Sequence, residues 1–229
     1  MLNILSQESQ VAEARAFLTA LGPDVRWRLI RADGPEGYWS ERKDDPGQPP
    51  DRLPLDRMDA IHNWHVRPMP LTGPFVLTML DDTTPAALDR MTSDGLSPTA
   101  VVATSPGRYE IWHRWPWAMP KAKAGQLIRH LQQIYHTDPG ANAPGRPGRL
   151  SGSCNRKPGR NGCPVRLVST GAALTDTQAR TWLRRFPVPT EPQVRLIIGI
   201  DLIWRKMIYE QSNRWLSLSL CRQSDSLRA

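Results

Sequence analysis

Apolar residues along the chain follow a helical spacing first and a strand spacing next. A helix capped by Ser6 and ended by Gly22-Pro23 is predicted at the N-terminus. Its apolar face is formed by Val11, Ala14, Phe17, Leu18 and Leu21. Residues 25–31 then alternate apolar and basic side chains, which predicts a strand with one solvent-exposed face. A turn-rich loop and a short helix over residues 53–60 are expected to follow.

The remaining pattern mixes strands and helices. Strands are predicted at 63–68 and 75–80, and the Pro/Gly connection between them favours a hairpin. The other predicted elements are a helix at 84–95, two strands within 99–115, a helix at 121–136, a strand at 165–169 and a helix at 176–186. This order predicts the α+β class, with a mixed or antiparallel sheet and helices packed on it.

Chain length sets the domain organisation. The 229 residues suffice for one substantial domain and a short appendage. We assign residues 1–189 to the domain and residues 190–229 to a C-terminal tail, for which a truncated helical region is one interpretation. Whether the sequence is a complete protein or a fragment stays open.

Charge and cysteine content narrow the function classes. The formal net charge is +8, which favours a polyanionic partner such as nucleic acid, although a basic protein without that role is the alternative. Three cysteines without a paired spacing suggest a reducing compartment. We find no signal peptide or membrane span, so a cytoplasmic protein without membrane association is expected.

Two adjacent carboxylates, Asp81 and Asp82, follow the apolar stretch "FVLTML". Neighbouring side chains on a strand point to opposite faces, so both can serve one site only where the strand ends and the backbone turns. Buried carboxylates need a partner or a cation. The alternative is that one of them caps the following helix.

A cationic, glycine-rich loop follows Asp138, and the next acidic residue is Asp176. Its basic side chains are Arg146, Arg149, Arg156, Lys157, Arg160 and Arg166. Glycine allows close approach of the backbone to phosphate, and guanidinium groups match phosphate geometry. The loop therefore predicts a phosphate contact, although a solvated basic loop is the alternative.

Aromatic and basic residues are interleaved in "RYEIWHRWPW". We predict that Trp112 and Arg114 guide a single-stranded template by stacking and charge, with core packing as the alternative. His136 lies two residues before Asp138 and is a weaker candidate, because a histidine at a helix end is also favoured by the helix dipole. His62 and His65 are poorly spaced for a metal pair on a strand.

Several segments together resemble one family, the RepB-type primases of mobilisable broad-host-range plasmids. The matching text is "HVRP", "VLTMLDD", "PTAVVATSPGRYEIW", "QQIYHTDPGA" and "GRLSGSCNRK", between about residues 12 and 168. Where members carry a histidine and an aromatic residue before "GRL", this sequence has Arg146-Pro147. Such primases usually continue into a helical bundle, which residues 190–229 do not resemble.

The resemblance implies an archaeo-eukaryotic-primase-like (RRM-like) core that synthesises short primers on single-stranded DNA from nucleoside triphosphates. It makes Asp81, Asp82 and Asp138 the metal ligands for Mg²⁺ or Mn²⁺. Nucleotide or template contacts are then expected from Arg149, Asn155, Arg156 and Lys157. A replicative helicase or a mobilisation protein is a further expected partner.

Two other functions fit parts of the sequence. A catalytically inactive, single-stranded-DNA-binding replication accessory would keep the basic loop and the aromatic residues without using a metal. A relaxase-type nicking enzyme would need a tyrosine nucleophile and three clustered histidines, and "HNWH" supplies only two.

Overall fold

The computed structural model describes residues 6–32, 45–59, 61–160 and 162–189, which form four helices and nine strands. The helices are α1 (Gln7–Ala20), α2 (Pro85–Ser93), α3 (Lys121–Tyr135) and α4 (Asp176–Arg185). The strands are β1 (Arg26–Arg31), β2 (Trp64–Met69), β3 (Phe75–Thr83), β4 (Ala100–Ser105), β5 (Arg108–Met119), β6 (Gly148–Arg149), β7 (Cys154–Asn155), β8 (Cys163–Pro164) and β9 (Arg166–Thr170). The predicted α+β class is confirmed.

The strands form two main antiparallel sheets. The first sheet has the order β1-β2-β6, and the second has the order β3-β5-β4-β9, so β3 lies at an edge. Strands β7 and β8 form a separate two-stranded ladder. The second sheet is the central layer, because its two faces contribute to two different apolar clusters.

One cluster lies between the two sheets and α1. Trp27 of β1, Phe17 of α1 and Trp112 of β5 meet there in tilted and edge-to-face contacts, with ring centroids 5.8–6.5 Å apart. The other cluster packs Leu80 and Ile111 against α2, α3 and α4. Alternation along β3 and β5 supplies both clusters, as the period of two requires.

The predicted β2–β3 hairpin is wrong. Strand β2 pairs with β1 along its whole length, whereas β3 pairs with β5 in the other sheet. Pro70 and Pro74 stand at the two ends of the connection and have no N–H to donate to a hairpin ladder. The Pro/Gly connection therefore carries the chain from one sheet to the other.

The helix expected at 53–60 is reduced to a single 3₁₀ turn, Leu55–Arg57, which follows another at Pro50–Arg52. The tail at residues 190–229 lies outside the described residues, so the domain boundary stays a prediction. No helix in the described part of the chain is long and apolar enough to cross a membrane.

Buried His113 makes stability depend on pH. Its side chain on β5 is fully buried, and burial lowers its pKa to about 4, although the backbone of Leu96 opposes this shift. The unfolded chain therefore binds the proton more readily between pH 6.5 and 4. The contribution of His113 to stability is complete above pH 6.5 and is lost as pH falls toward 4.

We expect His113→Leu to weaken this acid dependence. The free energy of unfolding of the wild type should fall by on the order of 2 kcal/mol more than that of the variant between pH 7 and 4.5. Urea unfolding at several pH values measures the difference. His65, whose pKa is lowered to about 3, is present in both proteins and cancels. Parallel pH profiles would contradict the assignment.

Candidate active site

A β-bulge in β3 presents Asp81 and Asp82 together. Leu80 is opposite Ile111 and Thr83 is opposite Tyr109, so Asp81 and Asp82 share the single partner position of Glu110. Leu80 and Thr83 thus face the same way although they are three residues apart. Asp81 therefore lies on the face of Glu110, whose pKa its charge raises, and Asp82 is exposed at the same edge.

The bulge corrects the expected end of the strand. Strand β3 continues through Thr83 and does not stop before the aspartates. Asp82 has φ 56°, a left-handed conformation that Asp and Asn tolerate better than most residues. The helix-cap alternative is excluded, because Thr84 caps α2 by accepting a hydrogen bond from the Ala87 N–H.

Asp138 reaches the same edge from the other side of the sheet. It follows α3, and its N–H donates to the Asp81 carbonyl at 3.2 Å. The Asp138 carbonyl accepts from the Gln132 side chain at 2.7 Å, and its Oδ1 accepts from the Gly140 N–H at 2.8 Å. The fold thus brings together Asp81 and Asp138, which are 57 residues apart in sequence.

The carboxylates at this edge influence each other. Burial raises the pKa of Asp81, and the negative charges of Asp82 and Asp138 raise it further. The Asp82 N–H, which donates to Asp81 Oδ1 at 2.8 Å, and the cationic Arg146 oppose the shift. Arg146 is held nearby by its hydrogen bond to the Gly140 carbonyl. The edge is therefore crowded with negative charge that a cation would stabilise.

The donor set suits a hard divalent cation. Aspartate oxygens are the ligands that Mg²⁺ and Mn²⁺ prefer. Within the described ranges, however, no three carboxylate, histidine or cysteine side chains already converge to enclose a metal ion. The chemistry of Asp81, Asp82 and Asp138 thus fits the predicted cofactor, and their role as a metal triad stays a prediction.

Glu110 is a further acidic residue at the site that we did not predict. It is 3% exposed, and burial together with the charge of Asp81 raises its pKa to about 8. Its Oε2 accepts a hydrogen bond from the Arg149 N–H at 2.8 Å. A Cβ on Gly148 would lie 2.7 Å from this oxygen and 2.3 Å from the Trp112 ring. Glycine at 148 therefore lets β6 approach β5 closely.

Arg149 lies beside this carboxyl group and keeps its predicted place near the site. Its NH1 donates to Asn63 Oδ1 at 2.6 Å and lies 3.4 Å from His65 Nε2. Strand β6 pairs with β2, so Arg149 lies directly opposite His65. Arg149 and Arg146 both lie close enough to lower the pKa of Glu110.

The other predicted residues of the basic loop have different surroundings. Arg156 and Lys157 are exposed, as a phosphate contact requires. Asn155 is buried, donates to the Thr104 carbonyl at 2.8 Å and accepts from the Lys157 N–H at 3.1 Å. Its predicted contact with phosphate is therefore corrected to a structural role, holding the loop on β4.

Trp112 and Arg114 do not form a template surface. Trp112 is 1% exposed in the core beside Phe17, so it has no face for a base. Arg114 forms two 2.9 Å bonds to Asp24 and donates to the Leu21 carbonyl at 2.7 Å. The face of β5 that carries Trp112 is covered by the first sheet and α1.

His136 ends α3 in a left-handed conformation, with φ 53°, and is exposed. Its predicted contact with nucleotide stays a prediction.

The site residues that we did not predict from the sequence did leave a signal in it. Glu110 is an acid within an apolar strand, and Asn63 and His65 alternate on the strand that carries "HVRP".

Two solved structures share this fold. The catalytic domain of primase RepB′ in complex with initiator DNA aligns with a TM-score of 0.62 at 24% identity, over 77% of this chain and 94% of that chain. A second structure of primase RepB′ aligns with a TM-score of 0.62 at 22% identity, over 91% and 68% of the two chains. The chain therefore has the fold of a primase catalytic domain.

The chain belongs to the RepB DNA-primase N-terminal domain family, whose model matches residues 53–177, more than half of its length. A curated relative, Mobilization protein A of Escherichia coli, is 37% identical over 104 residues. That match covers 45% of this chain and only 14% of the relative. The resemblance to RepB-type primases is confirmed.

Proposed function

We propose that this chain is a DNA primase of a plasmid or mobile element. It would act as a metal-dependent nucleotidyltransferase that makes short primers on single-stranded DNA for replication initiation. The observation that supports the proposal is the β3 bulge, which brings Asp81 and Asp82 to one position at the sheet edge, where the Asp138 N–H bonds the Asp81 carbonyl. Membership of the RepB primase family supports it.

Each acidic residue has a proposed role. Asp81, Asp82 and Asp138 would hold one or two Mg²⁺ or Mn²⁺ ions, which supply activation of the primer 3′-hydroxyl and neutralisation of the leaving pyrophosphate. Asp81 and Asp82 lie on the edge strand β3 and Asp138 follows α3, and none of the three is fully buried, which leaves solvent access for nucleotide and template. The Gly140 N–H donates to Asp138 Oδ1 at 2.8 Å, which helps to orient this carboxylate.

The basic residues would bind the polyanionic partners. Arg149, whose N–H bonds Glu110, would meet the triphosphate of an incoming nucleotide. Exposed Arg156 and Lys157 would contact nucleotide or template phosphates. Single-stranded DNA is the proposed template, in line with the initiator DNA bound by RepB′. A replicative helicase or mobilisation protein is the proposed protein partner, in line with the mobilisation relative.

Primer synthesis tests this proposal. The protein is incubated with single-stranded circular DNA, labelled nucleotides and Mg²⁺ or Mn²⁺. Short labelled products should appear and should vanish when EDTA is added. Binding of the same DNA is measured in parallel. Binding without synthesis would overturn the primase proposal in favour of the inactive accessory protein.

A further inference from the structure

Two neutral side chains orient Arg149. Its NH1 is held by the Asn63 amide oxygen at 2.6 Å and lies 3.4 Å from the ring nitrogen of His65. Arg114 and Arg166 instead pair with carboxylates, those of Asp24 and Glu13. Among the described residues, Arg149 takes part in no such salt bridge.

The neutrality of His65 is built into its surroundings. The side chain is 6% exposed within the first sheet. Burial lowers its pKa to about 3, and the charges of Arg149 and Arg146 lower it further. His65 is therefore uncharged at neutral pH. It limits the movement of the guanidinium and leaves its positive charge uncompensated.

Asn63 also fixes a second basic segment. Its Oδ1 accepts from Arg149 at 2.6 Å and lies 3.4 Å from the Arg156 N–H. Its backbone carbonyl accepts from the Ala32 N–H at 2.9 Å, which ties the residue to the end of β1. One amide oxygen thus sets the distance between Arg149 and the turn that carries Arg156 and Lys157.

We propose that Asn63 and His65 are positioning residues that aim an uncompensated Arg149 at the triphosphate of the incoming nucleotide. This inference deepens the proposed function and rests on it. A guanidinium paired with a carboxylate would have to exchange that partner for phosphate. One held by neutral acceptors keeps its attraction for an anion and loses less side-chain freedom on binding.

Asn63→Asp tests the effect of a negative charge beside Arg149 without a change in side-chain size. An aspartate can keep the bonds to Arg149 and to the Arg156 N–H, so the fold should be retained, but it adds a negative charge at 2.6 Å from the guanidinium. We expect ATP to bind about tenfold more weakly or worse, with a matching rise in KM and a smaller change in kcat. Gln48→Glu, the same change from an amide to a carboxylate at an exposed position outside the basic loop, should leave both unchanged.

A double-mutant cycle supplies the decisive readout. ATP binding is measured by calorimetry for the wild type, Asn63→Asp, Arg149→Ala and the double variant. On the Arg149→Ala background, Asn63→Asp should change affinity by less than about twofold, because its target is gone. His65→Phe should behave likewise, with a smaller loss on the wild-type background.

An equal loss on both backgrounds, or equal effects of Asn63→Asp and Gln48→Glu, would overturn the inference. The primase proposal fails separately. If the wild type binds ATP with this coupling between Asn63 and Arg149 but makes no primer, the synthesis proposal is overturned and the positioning roles are kept. If the wild type makes primer and the KM of Asn63→Asp is unchanged, the synthesis proposal is kept and the positioning roles are overturned.

Discussion

Asp81→Asn and Asp138→Asn are each expected to reduce primer synthesis by roughly 10²-fold or more while the protein stays folded. Asparagine keeps the size and the backbone hydrogen bonds of each side chain but removes the charge that a divalent ion requires. Because the charges of Asp82 and Asp138 raise the pKa of Asp81, their removal also relieves repulsion. Each variant should therefore be at least as stable as the wild type.

Asp82 needs the same isosteric change. Its φ of 56° would strain alanine, whereas asparagine tolerates this conformation, so Asp82→Ala would confuse a folding defect with a catalytic one. Asp89→Asn, on the exposed surface of α2, is the matched control and should keep full activity. Labelled primer yield and thermal unfolding are measured for all four variants. Full activity in Asp81→Asn or Asp138→Asn would refute the metal assignment.

Gly152→Ala is expected to destabilise the fold by about 3 kcal/mol or more. Gly152 has φ 82°, and a Cβ there would lie 2.3 Å from the Gln10 carbonyl oxygen. Backbone on α1 cannot move aside as a flexible side chain can, so overpacking adds to the conformational strain. The basic loop would also lose its position, because the Gly152 N–H bonds the Val165 carbonyl at 2.8 Å.

Gly159→Ala separates the conformational strain from the overpacking. Gly159 has φ 81°, nearly the same conformation, but a Cβ there meets no atom within 4 Å. It should cost only the conformational term of about 1–2 kcal/mol. Urea unfolding of both variants measures the difference. Equal losses would show that contact with α1 contributes nothing.

Local pattern predicted the elements that depend on local physics. Helix α3 and strand β5 could be predicted because each buries one face, and the spacing of apolar residues in the sequence marks that face. The pairing between distant strands could not be predicted from the sequence. The β2–β3 connection looks like a hairpin in sequence, and only the pairing of β2 with β1 and of β3 with β5 shows otherwise.

The candidate site, too, could be predicted only in part from the sequence. Asp81, Asp82 and Asp138 were predicted because charges are conspicuous beside an apolar strand and a strong helix. The bulge that aligns the first two depends on register with β5, which adjacent residues do not encode. Trp112 was misplaced for a related reason. Its strand was predicted, but whether the face that carries Trp112 meets solvent or a second sheet depends on tertiary packing.

Mn²⁺ binding, followed by electron paramagnetic resonance, tests the central claim that this carboxylate edge holds a divalent ion. The wild-type chain should deplete free Mn²⁺ saturably, without DNA or nucleotide. Asp138→Asn should weaken binding about tenfold or more, and Asp89→Asn should bind as the wild type does. Equal Mn²⁺ affinity in the wild type and Asp138→Asn would contradict the account, whatever the chain does to DNA.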